Sequence, residues 1–452
     1  MNLKGVIQLN MTDMGDARTI DISGTQAPKA TLLCIRTTSN AVGSPDSYPN
    51  LIESIKANNL YLPSLTSLSL GFAYNTKLQS LETKGLNTDN VTSMDGTFRD
   101  CYKITSEGLD ISHWNTSKVT TMTSMFENCN AIEDYSTIIK NFNTEKVQNM
   151  NRMFYGNDSL KHLNLNHFKV PALKYMEYMF YQNNNLETIE WKDANSISVS
   201  DIDYAFYKNP KLKTINLENF DTSKVTTMSS AFAENAELET LNLDIDLSSA
   251  TTLANVFQNC PKLKSISFTN SDAPNLTTME YAFRGCSSLE EISIPGLVGN
   301  VLTNINSMLL ECTGLKVLNL PKLTAPKVSN LTSLLEKCKS LEVVNLGLIT
   351  QATSMNNAFN NCSELRELRL PNLDTSAVTN MSYAFANNPK LETLELGESF
   401  STSSATNLSY MFANSPLVNL PLDKISTNKA TTIAGMFKDH SITEEDLAII
   451  RT

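Results

Sequence analysis

The sequence has little positive charge and no long apolar segment. Lys and Arg number 36 against 47 Asp and Glu, which gives a formal net charge of −11. An acidic chain of this kind repels nucleic-acid backbones and anionic lipid, so we expect neither as a partner. The apolar runs are stretches such as Thr31–Ile35, far shorter than the roughly 18 residues that a membrane span needs. We therefore expect no membrane insertion.

The chain also lacks the motifs that mark secretion or catalysis. Its start, MNLKGVIQLNMTDMGDAR, has neither a continuous apolar segment nor a small-residue cleavage site, so we expect no signal peptide. It contains no Gly-rich phosphate loop, no nucleophile elbow and no H-E-x-x-H segment. His162 and His167 belong to one repeat unit and are expected to face solvent, while His113 and His440 stand apart. We expect no catalytic residue, no metal site and no cofactor, and interpret the protein as non-enzymatic.

What the sequence has in abundance is one repeated pattern. Aligned on an aromatic position, the chain repeats every 24 to 28 residues, most often 26, with thirteen Phe and two Leu at that position. Fifteen such units fill roughly residues 60–440, which leaves no room for the three separate domains that the length alone indicates. The aligned residues are Phe72, Phe98, Phe126, Phe154, Phe180, Phe206, Phe232, Phe257, Phe283, Leu309, Leu335, Phe359, Phe385, Phe412 and Phe437.

Each unit carries further apolar residues at fixed distances from its aromatic position. Apolar residues stand four and seven residues before it, as Met228 and Val225 stand before Phe232. This spacing places the three side chains on one face of a short helical turn. Leu or Ile follows six, nine and eleven residues later, and the last two have the period of a β-strand. The pattern predicts an α/β repeat solenoid of about 15 units, with short helical turns and a parallel sheet on the concave face.

Seven of the eight Cys occupy one position, three residues after the aromatic residue. The same position is Asn in six other units, and both side chains can donate to backbone carbonyls. We therefore expect a buried ladder, because metal sites and disulfides would need spacings that this repeat does not provide. The predicted structural ladder contains Phe98, Phe126, Phe154, Phe180, Phe206, Phe232, Phe257, Phe283, Cys101, Cys129, Cys260, Cys286, Cys312, Cys338 and Cys362.

The two ends of the chain do not follow the repeat. Within residues 1–59, Gly5–Asn10 and Thr31–Thr37 resemble strands and Leu51–Asn58 a short helix. Two interpretations are open for residues 1–59: a cap on the end of the solenoid, or a docking module that joins it to a larger assembly. Residues 60–440 are the solenoid. Residues 441–452 are expected to form a C-terminal capping helix, since TEEDLAII begins with an N-cap and an acidic first turn.

The outward positions of the predicted strands stack into polar columns. Short hydroxyl and amide side chains on a rigid sheet offer hydrogen-bonding groups at little entropic cost, so we expect the concave face to bind a partner. The candidate binding residues are Thr188, Glu190, Lys192, Thr214, Asn216, Glu218, Thr240, Asn242, Asp244, Glu367, Arg369 and Glu395.

At this point the residues resemble a known family. Units such as VTTMSSAFAENAELETLNL (225–243) and LTTMEYAFRGCSSLEEISIP (276–295) are similar to the BspA-like leucine-rich repeats of bacterial surface proteins, whose pattern is matched across roughly residues 60–440. The resemblance implies a solenoid, displayed by bacteria or carried by their phages, that binds proteins or host surfaces. The unit at Phe126 departs from the pattern, because Ile132, Tyr135 and Thr137 are weak strand residues. We expect an irregular rung there.

These observations indicate a recognition or attachment protein that binds a protein or a surface glycan. One context is a bacterial surface adhesin. Another is a structural or host-binding component of a bacteriophage virion, which leaves the cell by lysis and in which residues 1–59 could contact other virion proteins. Either context places the protein outside the cell, after a cytoplasmic stage in the absence of a signal peptide. An intracellular scaffold for protein–protein interactions is the alternative.

Overall fold

The chain forms two compact units, Met1–Asp221 and Thr222–Thr452. The computed structural model describes residues 6–10, 17–36, 51–270, 272–292, 294, 297–416, 422–440, 445 and 449–450. In both units successive coils of the chain stack through parallel strands and bridges, and the described residues contain almost no helix. The predicted repeat solenoid with a parallel sheet is therefore confirmed.

The strands of the N-terminal unit are short and all pair in parallel. The sheets are β1 with β3, β2–β4–β5 and β6–β7–β8. The strand bounds are β1 Val6–Asn10, β2 Thr19–Asp21, β3 Leu32–Arg36, β4 Ser54–Lys56, β5 Ser80–Glu82, β6 His162–Asn164, β7 Thr188–Glu190 and β8 Thr214–Asn216.

The C-terminal unit is built in the same way, and some of its strands are longer. Its sheets include β10 with β11 and the four-stranded β12–β13–β14–β15, again parallel. The bounds are β9 Thr240–Asn242, β10 Asp244–Asp246, β11 Ser267–Asn270, β12 Val317–Thr324, β13 Val343–Leu348, β14 Glu367–Leu370 and β15 Thr393–Leu396, followed by a 3₁₀ helix, Leu422–Lys424.

The ends of the chain differ in part from expectation. Both predicted N-terminal strands are present, as β1 and β3. The short helix predicted in Leu51–Asn58 is wrong, because Ile55 of β4 is fully buried and pairs with Ile20 and Leu81 of the neighbouring coils. Parallel pairing with adjacent coils therefore overrides the local helical pattern. The C-terminal helix predicted at 441–452 falls mostly outside the described residues.

The segment around each aromatic position is a run of turns, which corrects the predicted helical turn. The residues two before and two after this position have positive φ in every unit, as Asn357 (57°) and Asn361 (62°) do around Phe359. Two left-handed residues within five are incompatible with a right-handed helix. Alternate amides instead donate to the next coil: the N–H groups of Asn357 and Phe359 reach the carbonyls of Ser382 and Ala384, both at 2.9 Å.

The aromatic side chains stack inside each unit, continuously in the N-terminal unit and with an interruption by two Leu in the C-terminal unit. In the N-terminal unit neighbouring rings from Phe72 to Phe206 stack with centroids 5.0 to 6.0 Å apart. In the C-terminal unit the stacked pairs lie 5.3 to 5.8 Å apart, and Leu309 and Leu335 take the same place in the core. Burial of each Phe contributes about 1.5–3 kcal/mol. The stack therefore makes a large apolar contribution to stability.

Beside the stack, the Cys and Asn side chains satisfy backbone carbonyls. The thiol of Cys286 donates to the carbonyl of Phe257 in the preceding coil at 3.1 Å. The amide of Asn388 donates to the carbonyls of Phe359 and Phe385, both at 2.9 Å. All eight Cys are free and buried. Cys and Asn interchange here because each presents a donor to the same turn carbonyls.

The coil at Phe126 is irregular, as expected. No strand occurs between β5 and β6, although every residue of that stretch is described. Tyr135 turns into the core, where its ring lies 5.0 Å from the rings of both Phe126 and Phe154. Its hydroxyl donates to Oδ1 of Asn157 at 3.1 Å. A buried aromatic side chain thus replaces the strand residue of this coil.

We predict that Phe385→Ala lowers the free energy of unfolding by about 3–5 kcal/mol, because its ring is stacked between those of Phe359 and Phe412. Phe385→Leu should cost less, since Leu occupies the equivalent place in two coils. Denaturant unfolding measures both. A loss from the Ala variant below about 0.5 kcal/mol, typical of a surface substitution, would contradict the stack.

We predict that Asn361→Val destabilises the protein by about 1–2 kcal/mol, because a β-branched side chain is strained at positive φ. Asn361→Gly should be tolerated, since Gly156 and Gly285 occupy the equivalent position with φ of 68° and 75°. The control is Asn242→Val in the exposed strand β9, which should be close to neutral. Equal losses for the two Val variants in denaturant unfolding would refute a conformational cause.

Candidate binding surface

The outward side chains of β6, β7 and β8 form columns in the N-terminal unit. The three strands are in register, so His162, Thr188 and Thr214 follow one another, and Asn164, Glu190 and Asn216 form the next column. Successive side chains in a column are separated by the strand spacing of about 4.8 Å. The sheet therefore presents polar groups at fixed intervals.

The predicted binding residues of this unit do not all face solvent. Thr188, Glu190, Lys192 and Thr214 are half-buried and Glu218 is exposed, with Lys192 and Glu218 beyond the strand ends. Asn216 is only 6% exposed, which corrects its expected place on the open face. Its amide donates to Oε2 of Glu190 at 3.3 Å. This hydrogen bond holds Asn216 against the sheet, where it positions Glu190.

In the C-terminal unit the predicted residues are more accessible. Thr240, Asn242, Asp244 and Glu395 are exposed, and Glu367 and Arg369 are half-buried. A column on β12–β15, here called the C-terminal column, consists of Asn319, Asn345, Arg369 and Glu395 in register.

The C-terminal column contains a small ionic network. The guanidinium of Arg369 lies 2.6 Å from Oε2 of Glu367 and 3.7 Å from Oε2 of Glu395. The amide of Asn345 donates to Oδ1 of Asn319 at 3.1 Å. Such solvent-accessible ion pairs contribute only about 0–1 kcal/mol to stability. The network is therefore not required for folding, and its side chains remain partly exposed.

A groove that the sequence analysis missed lies in the N-terminal unit. It is found where the coils at Phe98 and Phe126 lack strands, and its lining includes Thr105, Glu107 and Glu133. The lining combines hydroxyl and carboxyl groups with apolar surface. The weak strand residues of the Phe126 coil could have predicted this groove, because a coil without a strand leaves a depression between regular coils.

The His and Cys side chains of the described residues lie in the core or contact neighbouring coils. No three His, Cys, Asp or Glu side chains in the described ranges are grouped to hold a metal ion. Desolvation raises the pKa of Cys260, Cys312 and Cys362 to about 12, so these thiols stay protonated at neutral pH and are poor nucleophiles and metal ligands. His162 and His167 contact Thr188 Oγ1 and a backbone carbonyl, respectively.

The described part of the chain also contains no helix with the length and apolarity of a membrane span.

One family matches nearly the whole repeat array. Its description is "Mycoplasma protein of unknown function, DUF285", and it matches residues 53–137, 109–197, 183–296, 240–346 and 329–449. No curated protein matches the sequence.

Several solved structures are similar to this chain. A leucine-rich repeat protein from Eubacterium ventriosum is 16% identical, with 95% of this chain and 92% of that chain covered and a TM-score of 0.35. One from Bacteroides ovatus is 16% identical, with coverage of 78% and 87% and a TM-score of 0.31. A leucine-rich cell surface protein from Faecalibacterium prausnitzii is 15% identical, with coverage of 84% and 88% and a TM-score of 0.29.

We predict that the native protein shows no rapidly reacting thiol with DTNB and that all eight Cys react after denaturation in guanidinium. Burial both blocks access and keeps the thiols protonated. Ser376→Cys, at an exposed position, provides the control and should add one fast-reacting thiol. Fast reaction of more than one native Cys would show that the ladder is open to solvent, because only Cys34 lies outside the ladder.

Proposed function

This chain belongs to the family described as "Mycoplasma protein of unknown function, DUF285", and we propose that it is a non-enzymatic recognition protein that binds a protein partner through the outward side chains of its parallel sheets. The proposal is supported by a core filled with structural side chains and by polar columns that the fold does not need for stability.

The observation that carries the proposal is the C-terminal column. Arg369 and Glu395 stand in register on adjacent strands, each with a side chain about half exposed (42% and 53%). Their backbone is fixed by parallel pairing, so a partner would order only the side-chain ends, at a small entropic cost. Charged groups held in register favour electrostatic selection of the partner.

The context we propose is the surface of a bacterial cell. A family described from Mycoplasma and the similarity of the repeat to BspA-like surface proteins favour this context. A bacteriophage virion component and an intracellular scaffold are the alternatives, and a surface glycan is the alternative ligand. In the virion alternative, residues 1–59 would dock to other virion proteins. Quantification of the protein in surface-labelled cells, cytosol and purified virions distinguishes the three contexts.

We predict that the double variant Arg369→Ala/Glu395→Ala weakens partner binding at least about tenfold, or about 1.4 kcal/mol, without lowering the melting temperature by more than a few degrees. The matched control is Glu364→Ala/Lys390→Ala. It removes an ion pair of 2.6 Å and similar exposure from the same two coils, ahead of the strands.

The measurement has two arms. The immobilised chain and both variants are exposed to labelled surface proteins of the source cells and to a glycan array, and saturable binding is quantified. Loss of protein binding by Arg369→Ala/Glu395→Ala, with binding retained by the control variant, supports the proposal. Equal binding by all three chains would exclude the C-terminal column, and binding on the glycan array alone would replace the protein partner by a sugar.

A further inference from the structure

The groove of the N-terminal unit runs across several coils. It consists of two adjoining cavities of about 520 and 720 Å³, which share Thr105, Glu107 and Ala131 in their linings. Cavities of this size are typical of ligand sites. The lining lies within residues 19–137 and comes from five successive coils, so the strand spacing gives a length of about 19 Å. We call this depression the N-terminal groove.

The groove exists because two consecutive coils are longer than the others. The two coils without strands have 28 residues each, against the usual 26. In the first of them the buried Ile104 and Leu109 are five residues apart, whereas the corresponding Leu160 and Leu163 of the coil with β6 are three apart. The extra residues form the turn 106–108 where other coils have a strand. The insertion therefore builds one wall of the groove.

This wall is held in place by the neighbouring coils. The carbonyl of Gly108 accepts a hydrogen bond from the N–H of Leu81 at 2.8 Å, and the hydroxyl of Ser106 donates to the carbonyl of Asp134 at 2.9 Å. A Cβ at Gly108 would lie 1.8 Å from the carbonyl oxygen of Gln79, so this close approach requires glycine. Since the wall is already ordered, a ligand would not have to order it on binding.

Hydroxyl groups line the other side of the groove. Thr19, Ser54 and Ser80 follow one another in register on the outward face of β2, β4 and β5. The hydroxyl of Ser80 donates to that of Ser54 at 3.0 Å. A hydroxyl group both donates and accepts hydrogen bonds. This side of the groove therefore offers groups of both kinds on a backbone that strand pairing fixes.

The charged groups of the groove nearly balance. Four carboxylates and one ammonium group line it. Two of the carboxylates are paired, Glu53 with Arg18 and Glu133 with Lys161, the second pair at 3.9 Å. Four negative charges against three positive ones leave a formal charge of −1. The groove therefore gives little electrostatic preference to either an anion or a cation.

The lining also offers no large apolar anchor. Among the described residues that form it there is no aromatic side chain and no Leu, Ile, Val or Met, so its apolar surface belongs to Ala131 and to methyl and methylene groups. Protein partners gain most of their binding energy from large anchors, mainly aromatic residues and Arg, seated in pockets. A neutral sugar instead presents many hydroxyl groups beside small C–H surfaces. The lining therefore suits a sugar better than a protein.

We propose that the N-terminal groove binds a neutral oligosaccharide. Glu107 and Asp134 accept hydrogen bonds from its hydroxyl groups, and Ser54 and Ser80 exchange hydrogen bonds with it further along the groove. The N–H and hydroxyl groups of Ser136 hold the Asp134 carboxylate at 2.8 and 2.6 Å, which leaves further lone pairs for the sugar. The groove is separate from the C-terminal column, so this proposal does not depend on the protein partner proposed above.

The test uses the full chain on a printed array of neutral, sialylated and sulfated oligosaccharides, followed by calorimetry with each neutral member that binds. Glu107→Gln/Asp134→Asn should weaken this binding at least about fivefold, because an amide cannot replace a charged acceptor. The matched control is Asp110→Asn/Glu145→Gln, which removes two exposed carboxylates from the same two coils outside the groove. Like Asp134, Asp110 accepts hydrogen bonds from the Ser two residues later.

A second pair of variants tests the hydroxyl side of the groove. Ser54→Ala/Ser80→Ala should weaken binding at least about threefold through lost hydrogen bonds. Thr188→Ala/Thr214→Ala removes hydroxyls from the corresponding outward positions of β7 and β8 and should have little effect. Because the ligand is neutral, its affinity should change by less than about twofold between low and moderate salt. Thermal unfolding checks that each variant is folded.

Loss of sugar binding in the two groove variants, with binding retained by both controls, supports the proposal. It would be overturned if no neutral oligosaccharide bound, if binding were confined to sialylated or sulfated members, or if paired variants lost binding equally. A peptide array is probed in parallel, and binding to peptides alone that only the groove variants lose would assign the groove to a polypeptide instead. Protein binding by Arg369→Ala/Glu395→Ala is measured separately, so failure of one proposal leaves the other intact.

Discussion

The structure depends on hydrogen bonds that run from one coil to the next through the turns around the aromatic position. In an ordinary helix these amides would bond along their own chain, but here alternate amides bond across, as Phe359 does to Ala384. The cost is a pair of left-handed residues in each coil. It is offset because the same geometry aligns the Phe rings into a stack and brings Cys or Asn against the turn carbonyls.

Much of this architecture could be predicted from the sequence, since the period of the Phe positions and the alternation of Leu and Ile are direct consequences of stacking. The helical turn was wrong because Val225, Met228 and Phe232 have a spacing that helices and successive turns can share. The residues two before and two after the aromatic residue are the ones that could have indicated a left-handed backbone. Gly156 and Asn361 are of types that often adopt this conformation, but Tyr178 and Glu311 are not. The residue types at these positions therefore did not reveal a repeated left-handed conformation.

The candidate surface was predictable only in part. Strand periodicity correctly placed Glu395 and Asn242 among exposed residues, because alternate side chains of a strand face opposite ways. It misplaced Asn216, whose hydrogen bond to Glu190 holds it against the sheet. Periodicity also could not reveal the groove beside Thr105, since it arises from which neighbouring coils come together rather than from the pattern within one coil.

A solenoid of this kind separates stability from recognition. Phe283 and Cys286 point inward and are fixed by packing and by carbonyl hydrogen bonds, so substitution there is costly. The outward strand positions and the turn positions that hold Tyr178 make few contacts that the core requires. Their side chains can therefore vary from coil to coil while the backbone stays constant. Variation of the outward residues can therefore alter the proposed binding surface without repacking the interior.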